Sequence, residues 1–173
     1  MSDSEKAALE IQLAKDAYRS KDLDCAVSHY LTAAELAPRV MSPVYHVAKI
    51  KFKQEEYAEC VKFYTKAIKV GKENKANVKM VAKAMAMRGR AYKQLGEETK
   101  FKENLEKAVK FLSTIAKVKF EKREWVECIG FSARVIIMSL DNGLTIPADV
   151  VEWSDKSIDQ ASGKIHELSN IPQ

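Results

Sequence analysis

A period of 34 residues constrains this chain more than any other feature. Ala14, Tyr18, Leu23, Ala26, Tyr30 and Ala33 return 34 positions later as Ala48, Phe52, Tyr57, Cys60, Tyr64 and Ala67. A small residue, an aromatic, a turn, and then a ladder of small and apolar residues describe two antiparallel helices joined by a tight turn. One such pair cannot bury its apolar face alone, so the pairs have to stack on one another. The pattern predicts a solenoid with a concave groove, and such a groove points to binding rather than chemistry.

The 173 residues suffice for one domain, 1–173, with a sizeable core. Strand-like alternation is scarce, so the expected class is all-α. The expected fold is a right-handed solenoid of antiparallel helix pairs, with repeats at about 7–40, 41–74, 82–112 and 113–142 and a capping helix at about 148–169. Ser2 with Glu5 forms a capping box for the first helix. Pro38 ends the second, and Ser42-Pro43 opens the third, where the missing N–H of Pro costs nothing. The fourth helix is expected to stop near Gly71. Repeat three starts late, after an extension at Lys72–Val78. Repeat four is degenerate: Ala116, Phe120, Trp125 and Cys128 stand 68 residues after Ala48, Phe52, Tyr57 and Cys60. Repeat three must therefore run almost straight into repeat four, with Ser113-Thr114 as the one weak break. Asn142-Gly143 marks a turn. In the capping helix, Val151, Ile158, Ala161, Ile165 and Leu168 form an apolar stripe, which leaves Trp153 off it and exposed.

Charge is unevenly distributed. Residues 1–60 carry 8 Lys/Arg against 10 Asp/Glu, residues 61–123 carry 18 against 6, and residues 124–173 carry 3 against 8. A basic centre of this kind attracts acidic partners. No apolar run approaches the roughly 18 residues of a membrane span. The polar stretch Met1–Lys6 lacks the apolar core of a signal peptide. Three cysteines without a C-x-x-C pair make neither a disulfide framework nor a zinc site; Cys60 and Cys128 fall at a buried repeat position, and Cys25 lies beside it. The expectation is a cytoplasmic protein without membrane association.

In a helix-pair solenoid the first helix of each pair lines the concave face. The residue after its small position reads Lys15, Lys49, Arg90 and Lys117, one cation in every repeat. Four residues further along come Arg19 and Lys53, then Gln94 and Glu121; His46 and Lys83 add to the row. Lys15, Arg19, His46, Lys49, Lys53, Lys83, Arg90 and Lys117 are therefore the candidate peptide-binding residues. The competing reading is a solvated lysine face with no ligand. The aromatics Tyr18, Phe52, Tyr92 and Phe120 are expected to fill the space within each helix pair. No Gly-rich phosphate loop, glycine elbow or paired His/Asp arrangement suggests catalysis, and no metal-ligand spacing is present. The chain is read as a non-enzyme without cofactor or metal.

Several stretches resemble the tetratricopeptide repeat of the co-chaperones that organise heat-shock chaperones. Lys15-Asp16-Ala17-Tyr18, Lys21-Asp22 and Ala33-Ala34-Glu35-Leu36 with Pro38 look like the first repeat. Glu56–Cys60, Lys66-Ala67-Ile68 and Val70–Asn74 look like the second, and Val81–Ala86 with Gly89 and Tyr92 like the third. The resemblance covers about 7–112 and implies a peptide-binding adaptor whose groove clamps the C-terminal carboxylates of a chaperone tail ending Glu-Glu-Val-Asp. Carried over by position, the first-helix Lys of the clamp falls on Ile11 and its Asn on Lys15. The third-helix Asn falls on His46, the fifth-helix Lys on Lys83, and the fifth-helix Arg on Met87, which can donate nothing. Only Lys83 is an identity. The reading is an adaptor for an acidic peptide or an acidic C-terminal tail, by resemblance that of a heat-shock chaperone. The alternatives are a nucleic-acid-associated protein that uses the same cations for phosphates, and a structural scaffold subunit that self-associates.

Overall fold

The computed structural model describes residues 1–74 and 78–169, with side chains as far as residue 162. Among the described residues eight helices follow one another: α1 (Asp3–Arg19), α2 (Leu23–Leu36), α3 (Met41–Lys53), α4 (Tyr57–Glu73), α5 (Val78–Gln94), α6 (Glu98–Glu121), α7 (Trp125–Asp141) and α8 (Ala148–Ser169). The described residues contain no strand. They form two compact units, Met1–Asn104 and Leu105–Gln173, and α6 contributes residues to both.

The turns inside the pairs are built alike. Lys21, Glu55 and Arg123 have φ of 66°, 62° and 58°, and in the third pair Gly96 has φ of 77°. At each, the next residue's N–H donates five positions back: Asp22 to Ala17 O at 2.9 Å, Glu56 to Lys51 O at 3.0 Å, Glu97 to Tyr92 O at 2.9 Å and Glu124 to Lys119 O at 2.9 Å. This is the left-handed C-terminal cap that satisfies carbonyls a helix end would otherwise leave open. Its recurrence dates the irregularity in the period. Lys21, Glu55 and Arg123 stand at multiples of 34, whereas Gly96 comes seven residues late. Two extra helical turns enter before it and two are lost after it.

The loss falls on α6. Its 24 residues run unbroken through Ser113 and Thr114, whose hydroxyls donate back to Val109 O and Lys110 O, each at 2.9 Å. Hydroxyls folded onto their own helix do not compete for its ladder as a break would require. The insertion is visible in α4, which continues through Gly71 to Glu73 instead of stopping at the glycine.

In the first unit each helix packs on the next along the chain, from α1 to α5. Between the first two pairs lies a core of Ala14, Ala26, Tyr30, Val47 and Ile50, all fully buried, with Ile11, Tyr18, Leu23 and Phe63 against it. The small residues let helices approach, and each buried Ile or Tyr contributes on the order of 1.5–3 kcal/mol by leaving water. The capping box at Ser2 forms as the sequence predicts: Ser2 Oγ accepts from Glu5 N–H at 3.3 Å, and the Glu5 carboxylate accepts from Ser2 N–H at 2.6 Å.

In the second unit α7 packs on α8. Phe120 meets Trp125 edge to face at 5.7 Å, as Phe52 meets Tyr57 at 5.4 Å in the first unit. Two expectations for α8 are corrected. Its buried face is Val150, Ser154 and Ser157, one position away from the predicted stripe, and Val151 and Ile158 are exposed. Trp153 is therefore half-buried and stacks on Phe120, with centroids 6.4 Å apart. Counting apolar residues misjudged this helix because two of the three inward positions are serines. Ile165 and Leu168 lie outside the described side chains.

Candidate functional site

The third helix supplies the centre of the site. His46 and Lys49 are one turn apart on α3, and both line two adjoining hollows in the first unit. The smaller, about 160 Å³, lies against α1 and α2 and is lined by Lys15, Tyr18, Arg19, Tyr30 and Ile50 besides the shared pair. The larger, about 600 Å³, lies against α5 and is lined by Tyr45, Val78, Lys79, Met80 and Lys83. Neither is lined by a carboxylate among the described residues.

Cations from three helices converge there. Lys15 on α1, Lys49 on α3 and Lys83 on α5 all lie close enough to His46 to oppose its protonation. Burial is the larger cause that holds the His46 imidazole below its ordinary value, and a hydrogen bond to Ser42 works the other way. That bond joins Nδ1 to the Ser42 carbonyl oxygen at 2.8 Å, with the Ser42 hydroxyl farther off at 3.4 Å. The ring stacks on Tyr30, with centroids 5.0 Å apart and planes inclined by 22°, and meets Tyr45 edge on at 5.6 Å. Its position is therefore fixed by α2 and by its own helix.

The other predicted residues are more dispersed. Lys53 holds its ammonium 4.5 Å from the centre of the Tyr18 ring, and Lys49 stands 5.7 Å from the same ring. Tyr18 is half-buried, so it packs on the core with its body and offers its π face to cations. Arg19 lines the smaller hollow but also pairs with Asp16 at 3.0 Å. Arg90 is exposed beside Met87, whose sulfur is 3.8 Å from its Nη1, and lines neither hollow. Lys117 belongs to the second unit, where it lies 3.9 Å from Glu121 and lines a hollow with Trp153 and Pro147.

Sequence reasoning passed over Tyr30 and Tyr45 as site residues. Tyr30 was legible only as a repeat position, and nothing in the period marks Tyr45. Arg88 was also missed. It is half-buried between α4, α5 and α6, donates from Nε to Asn104 Oδ1 at 2.8 Å and from Nη1 to Thr65 Oγ1 at 2.9 Å, and is held below its ordinary value by burial. It ties three helices together and lines neither hollow. Among the described residues no group of three His, Cys, Asp or Glu side chains is placed to hold a metal ion, and no helix is long and apolar enough to cross a membrane.

A family model described as tetratricopeptide repeat matches residues 82–111. Stress-induced-phosphoprotein 1 of Caenorhabditis elegans is 37% identical over 91 residues, which is 53% of this chain and 28% of that protein. Hsp70-Hsp90 organizing protein 2 of Arabidopsis thaliana is 34% identical over 89 residues, 51% of this chain and 16% of that protein. The chain thus spans less than a third of these curated relatives. Among solved structures, the N-terminal domain of stress-induced protein-1 from C. elegans superposes with a TM-score of 0.62 at 31% identity, over 64% of this chain and 87% of that one. The TPR2AB-domain:pHSP90-complex of yeast Sti1 shares the fold, with a TM-score of 0.54 at 18% identity over 90% of this chain and 70% of that one.

Proposed function

The chain belongs to the tetratricopeptide-repeat family, and from that premise we propose that it is a non-catalytic, cytoplasmic adaptor that binds an acidic peptide segment. The observation that carries this reading is the convergence of Lys15, Lys49 and Lys83, from three different helices, around His46, with no carboxylate among the described residues lining the hollows between them. An isolated lysine on a helix is ordinarily solvated; three that line two hollows sharing His46 and Lys49 focus a positive field. An extended peptide would lie across α1, α3 and α5 with its carboxylates on those lysines. Arg19, Lys53 and Arg90 would extend the contact at its margins. Lys117 would take part only as a second, separate contact on the other unit.

The natural ligand of this class is the acidic C-terminal tail of a heat-shock chaperone, a reading supported by relatives named for organizing Hsp70 and Hsp90. Met87 stands where the family's clamp has an arginine, so the bidentate fork is absent and the lysines bear the load as point charges. Each charge-assisted contact contributes about 1.5–3 kcal/mol where desolvated and much less at the rim.

The test is a calorimetric titration with a peptide ending Glu-Glu-Val-Asp, free and C-terminally amidated. The free peptide is expected to bind more tightly, with binding weakened by salt and lost in a Lys15→Glu/Lys49→Glu/Lys83→Glu variant of unchanged helicity. Equal binding of both peptides, or binding indifferent to the charge reversals, overturns the proposal. A single-stranded RNA titrated in parallel reports the phosphate-binding alternative.

A further inference from the structure

We propose that His46 is the proton-accepting member of this anion site: a carboxylate bound between Lys15, Lys49 and Lys83 is also held by imidazolium Nε2–H, so that binding takes up a proton from solution. This rests on the acidic-peptide reading and adds to it a titrating donor.

Ser42 sets the tautomer of His46. A carbonyl oxygen only accepts hydrogen bonds, so the 2.8 Å contact with Ser42 O requires a hydrogen on His46 Nδ1. In the neutral ring the remaining nitrogen, Nε2, then carries a lone pair and no hydrogen. The stack on Tyr30 and the edge contact with Tyr45 fix the ring plane, and a 180° flip of the ring would put Cδ2 in place of Nδ1 and give up the Ser42 bond. With Nδ1 bound to Ser42, the neutral ring has only an acceptor lone pair to offer a ligand held among the three ammonium groups. A carboxylate oxygen brought to that lone pair is repelled, and protonation of Nε2 turns the same contact into a charge-assisted hydrogen bond.

The surroundings set the direction. Facing His46 from α1 are Lys15, Tyr18 and Arg19, and from α2 Tyr30; its own helix adds Tyr45 and Lys49. From α5 come Lys79 and Lys83, and α4 places Tyr64 behind Tyr45. The charged members of this set are all cations, and burial holds the Tyr30, Tyr45 and Tyr64 hydroxyls neutral. With the site empty, the imidazole is pressed toward its neutral form by burial and by the three lysines. A bound carboxylate offsets those charges and gives the imidazolium a partner, so His46 gains affinity for a proton. Reciprocity then requires that the proton raise the affinity for the carboxylate. A neutral amide at the same position would donate at every pH; the imidazole makes the contact conditional.

The test uses the whole chain and the free Glu-Glu-Val-Asp peptide, titrated from pH 5.5 to 8.0 in two buffers of different ionisation enthalpy. Expected are proton uptake approaching one per peptide and an affinity that falls about tenfold per pH unit in the window between the empty-site and occupied-site values of His46. In His46→Asn, which donates without titrating, both dependences should vanish while binding persists; a dependence that survives the substitution would belong to another group and overturn the inference. The His46 ring resonance should titrate at least one pH unit higher with peptide than without. Tight binding with no proton uptake and an unmoved His46 overturns this inference and leaves the adaptor reading standing. Absence of binding at every pH overturns both.

Discussion

Gly71 meets Met41 with no room for a methyl group between them: a Cβ at Gly71 would fall 2.5 Å from Met41 Sδ and closer still to Val81 Cγ2. Met41 and Val81 are themselves fully buried, so neither side chain has space to retreat. Gly71→Ala therefore opposes two effects. Removing a glycine from a helix interior gains about 0.5–1 kcal/mol, whereas overpacking a filled core costs about 1–3 kcal/mol. The expected result is a net loss of stability in chemical denaturation, with Val81→Ala in the same chain recovering part of it. Strictly additive losses from the two changes would show that the contact is not the cause.

Gly89 is the milder case. An added Cβ would sit 3.1 Å from Asn104 Cβ and 3.2 Å from the Phe101 carbonyl oxygen, close enough to need a shift of a few tenths of an ångström. At this repeat position the other repeats carry Ala14, Ala48 and Ala116, and twelve residues on they carry Ala26, Cys60 and Cys128 where the third carries Phe101. The third repeat accommodates that bulk by giving up a methyl group on α5. Gly89→Ala should lower the unfolding midpoint less than Gly71→Ala does; the reverse order would count against this account of both glycines.

Arg88 makes a third prediction. Its guanidinium is half-buried and leans on neutral acceptors, Asn104 Oδ1 and Thr65 Oγ1. Asn104 is 4% exposed and also donates to Lys100 O at 2.7 Å. Asn104→Leu strands a partly desolvated charge and should cost about 1–3 kcal/mol or more. Arg88→Met keeps the packing of the stem, removes the charge with its need, and should cost less. Equal costs would show that the hydrogen bonds contribute little.

These residues explain what was legible in the sequence. Packing positions recur because each pair faces the same steric problem, so Ala14, Ala48, Ala116, Cys60 and Cys128 could be read from the period. The turns could be read as turns, although Lys21, Glu55 and Arg123 give no residue-type signal of a left-handed backbone. Where neighbours rather than period decide, reading failed. Gly71 looked like a helix stop because glycine usually is one, whereas its role is close approach to α3 and α5. Ser154 and Ser157 looked like surface because their burial depends on what packs over them. The cationic row was legible as composition, but the gathering of Lys15, Lys49 and Lys83 around His46 required the helices to be placed.

The continuity of α6 can be tested at Ser113. In a junction between separate helices a proline there would be tolerated. In an unbroken helix it deletes one rung of the ladder and drives its ring into the carbonyl of Val109, which already accepts from the Ser113 hydroxyl. The expected cost of Ser113→Pro is about 3 kcal/mol or more, with a matching loss of helical circular dichroism. Unchanged stability would place a hinge at 113–114.

The cysteines give a pH dependence with a definite sign. Burial pushes the Cys60 thiol up to about 12, and it pushes the Tyr64 hydroxyl up as well, with Tyr45 and Cys60 adding to that effect. A group whose value is raised by folding stabilises the fold fully below its unfolded value. That contribution is lost as pH rises toward the folded value, because the unfolded chain releases the proton first. The thiol's contribution to stability should therefore hold flat up to about pH 8.5, its ordinary value, and decline above it. Cys60→Ala should start lower through lost packing but decline less steeply, and the difference between the two slopes isolates the thiol from lysine titration. The same burial predicts the order of reaction with a thiol reagent at neutral pH: half-buried Cys25 first, with Cys60 and Cys128 labelled only as the chain opens. Parallel alkaline slopes in wild type and Cys60→Ala, or simultaneous labelling of all three thiols in the native state, would contradict the buried placement of Cys60.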